Sequence, residues 1–351
     1  MTGRRVTLKD IAERAQVSVS TVSYALNDST TLALSPVTKA RVRKIAKELG
    51  YVPNSWARNL QSKASGTVGV LLDKPLTLPR YAAIVEGMRP VLRDHDISLV
   101  LLDPRGEDVE AAALADYRSG RIDGLVFVGH DEASTSDFVR DAVARYSLPF
   151  VALDCGMGQT EQAYSTVDFD YAAGVRQVIE LLVSRGIRRL IHLRPTADSR
   201  AERVRGAELL KVVAEHPVVS LQMCYNGVDA ERLVSLDTHT EAEAQRYQRD
   251  VVDSLRQLLT AGTTAPERTA VLCSWGVDVE AAVRAVRMYS PGTTVAGLAQ
   301  GPLSTTLWPD LIYSRLPLTE AGRECAEAIV EEMTTSPQHR RVMLAPSLGK
   351  E

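Results

Sequence analysis

No apolar run in the chain reaches the roughly 18 residues that a membrane-spanning helix needs, so no membrane partner is expected. The first fourteen residues are polar and lack the apolar centre of a secretory leader, which predicts a cytoplasmic protein. Cysteine is scarce. Cys155, Cys224, Cys273 and Cys325 stand far apart, with no C-x-x-C pair and no histidine pair nearby. That spacing argues against a disulfide framework or a metal site and points to buried structural thiols. The six histidines are equally scattered. A G-x-G-x-x-G turn, a P-loop and a G-x-S-x-G nucleophile elbow are all missing. No carboxylate pair stands out from ordinary surface charge. Neither an enzyme activity nor a cofactor is expected.

What is present is a chain of 351 residues, suited to two or three domains. Its 45 % hydrophobic and 24 % charged residues are ordinary for a globular protein. The net charge of −3 is unevenly spread: residues 1–65 carry 11 Lys/Arg against 4 Asp/Glu, and the remainder 30 against 40. A basic segment on an acidic body suits a nucleic-acid-binding module joined to something else. A solvated charged face would look the same.

Three short helices are legible in the first 50 residues. Thr7 and Asp10 form a capping box, and Leu8, Ile11, Ala12 and Ala15 then make one apolar stripe. Gln16-Val17 is a tight turn. Ser18 caps a second helix that turns Val22, Ala25 and Leu26 inward and Val19, Ser20, Tyr24 and Asn27 outward. The third helix opens on Ser35-Pro36, closes at Gly50 and buries Val42, Ile45, Ala46 and Leu49. The turn between the first two helices is short enough to force a steep crossing, the helix-turn-helix geometry. The outward side chains of the second helix suit a major groove about 12 Å wide. A three-helix protein-interaction bundle would share the pattern.

The residues themselves narrow this. Val6-Thr7-Leu8-Lys9-Asp10-Ile11-Ala12, Val17-Ser18-Val19-Ser20-Thr21-Val22-Ser23 and Gly50-Tyr51-Val52-Pro53-Asn54 closely resemble the headpiece of the LacI/GalR family of bacterial transcriptional regulators. The likeness runs from residue 6 to residue 63. It implies a repressor that binds double-stranded, pseudo-palindromic operator DNA as a homodimer. By position, Val19, Ser20 and Tyr24 would read base edges, with Asn27 beside them. Thr7, Ser18, Thr21, Ser23 and Asn54 are the expected phosphate contacts. One departure is the stretch 27–35, about two residues longer than usual. The segment 53–65 would be a hinge. It holds two helical turns, marginal alone in water. The resemblance implies that it folds on DNA and drives Leu60, with Ala57 one turn earlier, into the minor groove as a wedge.

From Thr67 the pattern becomes alternating strands and helices. Strands are expected at 68–72, 98–103, 124–128 and 150–153, then near 189–193, 219–224, 270–273 and 294–298. Helices are expected at 81–95, 107–119, 135–146, 171–186, 200–215, 240–261 and 276–288. Two successive βαβ series mean two doubly wound lobes. The expected fold class is thus an all-α helix-turn-helix headpiece (1–52), the hinge (53–65) and a two-lobed α/β, periplasmic-binding-protein-like domain (66–351). The resemblance implies three crossings between lobes, near 165–169, 291–294 and 315–319. A solute receptor shares these lobes but has a leader and no headpiece. The chain ends at Glu351 without a leucine-heptad tail, so dimers rather than tetramers are expected.

In the resembling family a small-molecule effector sits between the lobes. Arg203 matches its R-x-x-G arginine, whose fork suits hydroxyls or carboxylates, although the helix carries other charges. Tyr81 and Asp170 match an aromatic and an aspartate at helix starts. They would serve equally as a core residue and a helix cap. Two departures matter more. Trp275-Gly276 stands where Asn-Asp is usual, and Gly297-Leu298-Ala299-Gln300 replaces G-[FY]-D-[DE]. The late motif is altered too, to Pro309-Asp310-Leu311-Ile312-Tyr313. Lost hydrogen-bond partners weaken polyol recognition. Trp275 instead offers a flat face for stacking. A sugar-derived effector of unusual kind is expected, not a simple free hexose or pentose; a cleft that has lost its ligand is the alternative.

Overall fold

The computed structural model describes residues 6–26, 34–51, 64–72, 74, 76–102, 109–129, 135–156, 163–229, 241–261, 264–300, 310–334, 336 and 338–349. The chain forms two compact units, Met1–Lys63 and Ala64–Glu351.

In the first unit α1 (Leu8–Ala15) starts on the Thr7–Asp10 capping box, and Gln16 ends it in the left-handed region at φ 53. Helix α2 (Val19–Leu26) follows at once. Helix α3 (Pro36–Glu48) opens on Ser35, whose side chain accepts the Thr38 N–H. Ile11, Ala12, Ala15, Val22, Ala25, Val42 and Ala46 close one small core. Arg43 Nε donates to the Ala25 carbonyl at 3.2 Å, which satisfies an acceptor that the end of α2 leaves open.

Among the described residues, the second unit holds two six-stranded sheets. The first contains β1 (Thr67–Leu71), β2 (Ser98–Leu102), β3 (Gly124–Val128), β4 (Phe150–Leu153), β5 (Ser165–Phe169) and β11 (Arg341–Leu344), in the order β11-β5-β4-β3-β1-β2. Its pairings are all parallel. The second contains β6 (Arg189–Arg194), β7 (Ser220–Tyr225), β8 (Thr269–Cys273), β9 (Thr294–Gln300), β10 (Ile312–Arg315) and β12 (Ser347–Gly349), in the order β12-β10-β9-β8-β6-β7. Only β12 runs antiparallel to its neighbour there. The connecting helices are α4 (Pro79–Asp94), α5 (Val109–Arg118), α6 (Asp137–Tyr146), α7 (Tyr171–Ser184), α8 (Arg200–Glu215), α9 (Glu241–Ala261), α10 (Val279–Tyr289) and α11 (Leu318–Glu332).

The lobes are discontinuous, and the chain crosses between them after β5, after β10 and between β11 and β12. Two expected crossings need correction. Residues 165–169 form strand β5, paired with β4 and β11, and the crossing follows it. Residues 291–294 do not cross at all. There α10 leads into β9, which pairs with β8 and β10, so the segment closes one more βαβ unit of the same sheet. The missing crossing lies at 344–347, where Leu344 ends β11 and Ser347 begins β12. The crossing near 315–319 is as expected: Arg315 ends β10 in the second sheet, and Leu318 starts α11 in the first lobe.

Helix α11 seals the first lobe. Ala321, Cys325, Ala328 and Ile329 join Ile84 and Met88 of α4 in its core. The two helices meet at glycines. A Cβ on Gly87 would land on the Thr319 carbonyl, and one on Gly322 on the Ile84 carbonyl.

Candidate nucleic-acid interface and inter-lobe site

Helix α2 buries Val22 and Ala25 against the other two helices. Its inward spacing of three turns the N-terminal turn outward. Ser18 and Ser20 are exposed, and Val19 is 45 % exposed despite its apolar side chain. Thr21, Ser23 and Tyr24 are half-buried one turn along. Ser18 Oγ accepts the Thr21 N–H at 3.1 Å and bonds Thr21 Oγ at 2.8 Å. The Thr7 hydroxyl donates to Asp10 Oδ2 at 2.7 Å. These hydroxyls therefore serve the helix starts first, and order the backbone that a phosphate would meet. Lys9 and Arg41 are exposed. Asn27, Asn54, Ala57 and Leu60 lie outside the described residues.

In the second unit, polar groups gather at the C-terminal ends of the strands, where open parallel sheets bind ligands. Strand β4 runs into Asp154, buried and in the left-handed region at φ 56. Its carboxylate accepts from Arg80 Nη2 at 2.5 Å, from the Tyr171 hydroxyl at 2.9 Å and from Arg200 Nη2 at 2.7 Å. Arg80 and Asp154 belong to the first lobe, Tyr171 is the first residue of α7 and Arg200 the first of α8. Asp168, on β5, accepts the Gly156 N–H at 2.8 Å and lies 3.7 Å from Arg200. Burial raises its carboxyl to about 6, opposed by the Gly156 N–H and Arg200.

A second buried network lies behind α8. Glu202 pairs with Arg205 at 2.6 Å and accepts from the Ser274 hydroxyl at 3.2 Å. Ser274 in turn bonds His192 Nε2 at 2.7 Å. Burial first, then Arg194 and Arg205, pushes His192 down to about 3, so the ring is neutral. The Arg205 guanidinium lies 5.1 Å from the centre of the Tyr171 ring. Deeper still, Asp278 accepts from the Tyr247 hydroxyl and from Asn226 Nδ2 at 3.1 Å. Complete burial lifts its carboxyl to about 7 despite those donors.

The four effector residues read from the sequence do not converge on this cluster. Tyr81 is buried in the first-lobe core. Asp170 caps α7, accepting the Ala173 N–H at 2.9 Å. Arg203 is 59 % exposed and pairs with Asp198 at 3.0 Å, so it stands outside the network. Trp275 is half-buried against the second-lobe core, at the start of the single turn Gly276–Asp278. Sequence reasoning missed Arg80, Asp154, Asp168 and Arg200. A carboxylate directly after a buried strand, as at Leu153-Asp154, was the available signal.

The comparisons with known proteins agree with this architecture. A family model described as bacterial regulatory proteins of the lacI family matches residues 7–54. A second, described as periplasmic binding proteins and sugar binding domain of the LacI family, matches residues 65–236. The HTH-type transcriptional regulator CelR of Thermobifida fusca is 29 % identical over 347 residues, 94 % of this chain and 93 % of that one. The ribose operon repressor of Halalkalibacterium halodurans is 24 % identical, over 94 % and 91 %. Among solved structures, a lac repressor dimer bound to operator and the anti-inducer ONPF superposes with TM-score 0.75 at 20 % identity, covering 99 % of this chain and 98 % of that one. A CelR–cellobiose complex superposes with TM-score 0.60 at 22 % identity, covering 98 % of each. With matching models over both its DNA-binding unit and its sensor lobes, the chain belongs to the LacI family of bacterial regulatory proteins, and it is a transcriptional regulator.

Proposed function

We propose that the protein is a cytoplasmic repressor that binds a pseudo-palindromic operator as a homodimer, with affinity set by a small molecule between the lobes. The observation that carries DNA reading is the N-terminal turn of α2, which exposes Val19 and Ser20 on the basic unit of the chain. Val19, Ser20, Tyr24 and Asn27 read bases; Thr7, Ser18, Thr21, Ser23 and Asn54 meet phosphates. Residues 1–52 form the headpiece, 53–65 the hinge and 66–351 the sensor. Within the hinge Leu60, supported by Ala57, wedges a base step open.

The dimer reading rests on the sheet edges. Both terminal strands expose apolar side chains: Val100 and Leu101 on β2 are 43 % and 42 % exposed, and Met223 and Tyr225 on β7 are 37 % and 51 %. Exposed apolar edges are normally protected, and a second copy would cover them.

The effector reading draws on the relatives, one of which is solved as a cellobiose complex. Trp275 and Ala299 replace two polar anchors, and each buried sugar hydroxyl left without a partner costs about 1–3 kcal/mol. A disaccharide or aryl glycoside that stacks on Trp275 fits better than glucose, galactose or ribose. The role is regulatory, and no catalytic step is assigned. Two measurements test the reading. Footprinting should protect two symmetric half-sites, with affinity falling steeply as salt rises; a single half-site filled by one monomer refutes the dimer. Calorimetry should detect cellobiose or an aryl glycoside before any monosaccharide; micromolar binding of glucose, galactose or ribose refutes the effector class.

A further inference from the structure

Helix α8 belongs to the second lobe by its core: Leu209 and Val212 pack among the buried residues of that lobe. Its first turns behave differently. Ala201 is fully buried in the first-lobe core, and Val204 packs against the same core. Between them and the sheet, Arg200 reaches across. Its Nη2 donates to Asp154 Oδ1 at 2.7 Å and to the Asp154 carbonyl at 3.1 Å, and stands 3.7 Å from Asp168. The stem of the side chain lies over Gly156. A Cβ there would come within 2.9 Å of Arg200 Cδ, and the residue sits at φ +88.

We propose that Arg200 is a latch between the lobes. It joins them through protein groups alone and sets the balance between their closed and open arrangements before any effector arrives. Three features support this. The ion pair crosses from α8 to the strands of the other lobe and is largely shielded from water, with side-chain exposures of 28 % for Arg200 and 1 % for Asp154. The guanidinium makes both an ionic and a main-chain contact, so its position is fixed in direction as well as charge. The glycine bed beneath it is shaped to the side chain. Arg203, one turn along the same helix, has the same charge but pairs with Asp198 beside its own helix and is exposed. It provides the control.

The test uses the full-length protein without effector or DNA. Arg200→Met keeps the stem and removes the charge. Asp154 retains Arg80 and Tyr171 as partners, so the variant should fold with an unchanged circular dichroism spectrum. Native-state hydrogen exchange at the amides of Asp154, Gly156, Glu202 and Arg203 should accelerate at least fivefold. Amides of Val271 and Leu272, inside β8, should not change. Small-angle scattering should show a larger radius of gyration. Gly156→Ala, which alters no charge, should accelerate the same amides by lifting the Arg200 stem. Arg203→Met should behave as the unmodified protein. If Arg200→Met exchanges at the unmodified rate and keeps the same radius of gyration, Arg200 is not a latch.

Discussion

Asp278 and His192 show how burial within the second lobe sets charge. Asp278 titrates at about 7 in the fold against 3.8 unperturbed, so its stabilising effect is complete below 3.8 and is lost as pH rises through 7. Asp168, raised to about 6, acts in the same direction at lower pH. His192 is depressed from 6.5 to about 3, so its effect is present above 6.5 and is lost as pH falls. Between pH 7.5 and 6.5 the Asp278 gain exceeds the His192 loss. The unfolding free energy should therefore rise on acidification. In Asp278→Asn that rise should disappear, because His192 is left to dominate. Urea titrations at the two pH values check the sign, and a rise of equal size in the variant rules the assignment out. At the DNA surface, Tyr24→Ala should change the operator sequence recovered from a randomised pool. Lys9→Ala and Arg41→Ala should instead weaken every sequence alike and flatten the salt dependence by about one counterion each. An unchanged consensus for Tyr24→Ala would remove that residue from base reading.

At the scale of elements, close helix contact in the first lobe depends on two glycines. Gly87→Ala or Gly322→Ala must push α4 and α11 apart, because the new methyl meets backbone rather than a movable side chain. Either change should cost about 1–3 kcal/mol, the usual range for overpacking, and lower the melting temperature of the sensor by several degrees. Gly206→Ala makes a useful contrast. Its Cβ would meet only Arg194 Nη1 at 3.5 Å, an ordinary contact in the middle of α8. Since alanine is favoured over glycine inside a helix by about 1 kcal/mol, that variant should be neutral or more stable. Equal melting temperatures for Gly87→Ala and Gly206→Ala would show that α4 and α11 have room to shift.

At the scale of the molecule, the proposed dimer would bury the apolar edges of the terminal strands β2 and β7. Val100→Asp with Leu101→Asp places two charges on an apolar edge without touching the buried strand residues. Sedimentation should show monomers at concentrations where the unmodified protein is dimeric. Operator affinity should fall steeply as two linked half-sites become two separate binding events. A double variant that remains dimeric would move the interface elsewhere.

Local chemistry made the headpiece legible. Its caps at Thr7, Ser18 and Ser35 and its inward stripe lie within single helices, and a hydrogen bond three residues long leaves its mark in the sequence. Apart from β5, the strands and helices of residues 67–298 were readable for the same reason, since each buries a face within its own few residues. The later course of the chain was not. Strand β11 pairs with β5 across a separation of 175 residues (Arg341 with Thr166), and α11 finds its place through contact with α4. The inter-lobe site divides in the same way. The R-x-x-G pattern marks Arg203, because sequence spacing identifies a helix face but not what stands opposite it. Only when the two lobes pack does the first turn of α8 face Asp154. Arg200 then becomes the arginine that crosses, while Arg203 remains in solvent.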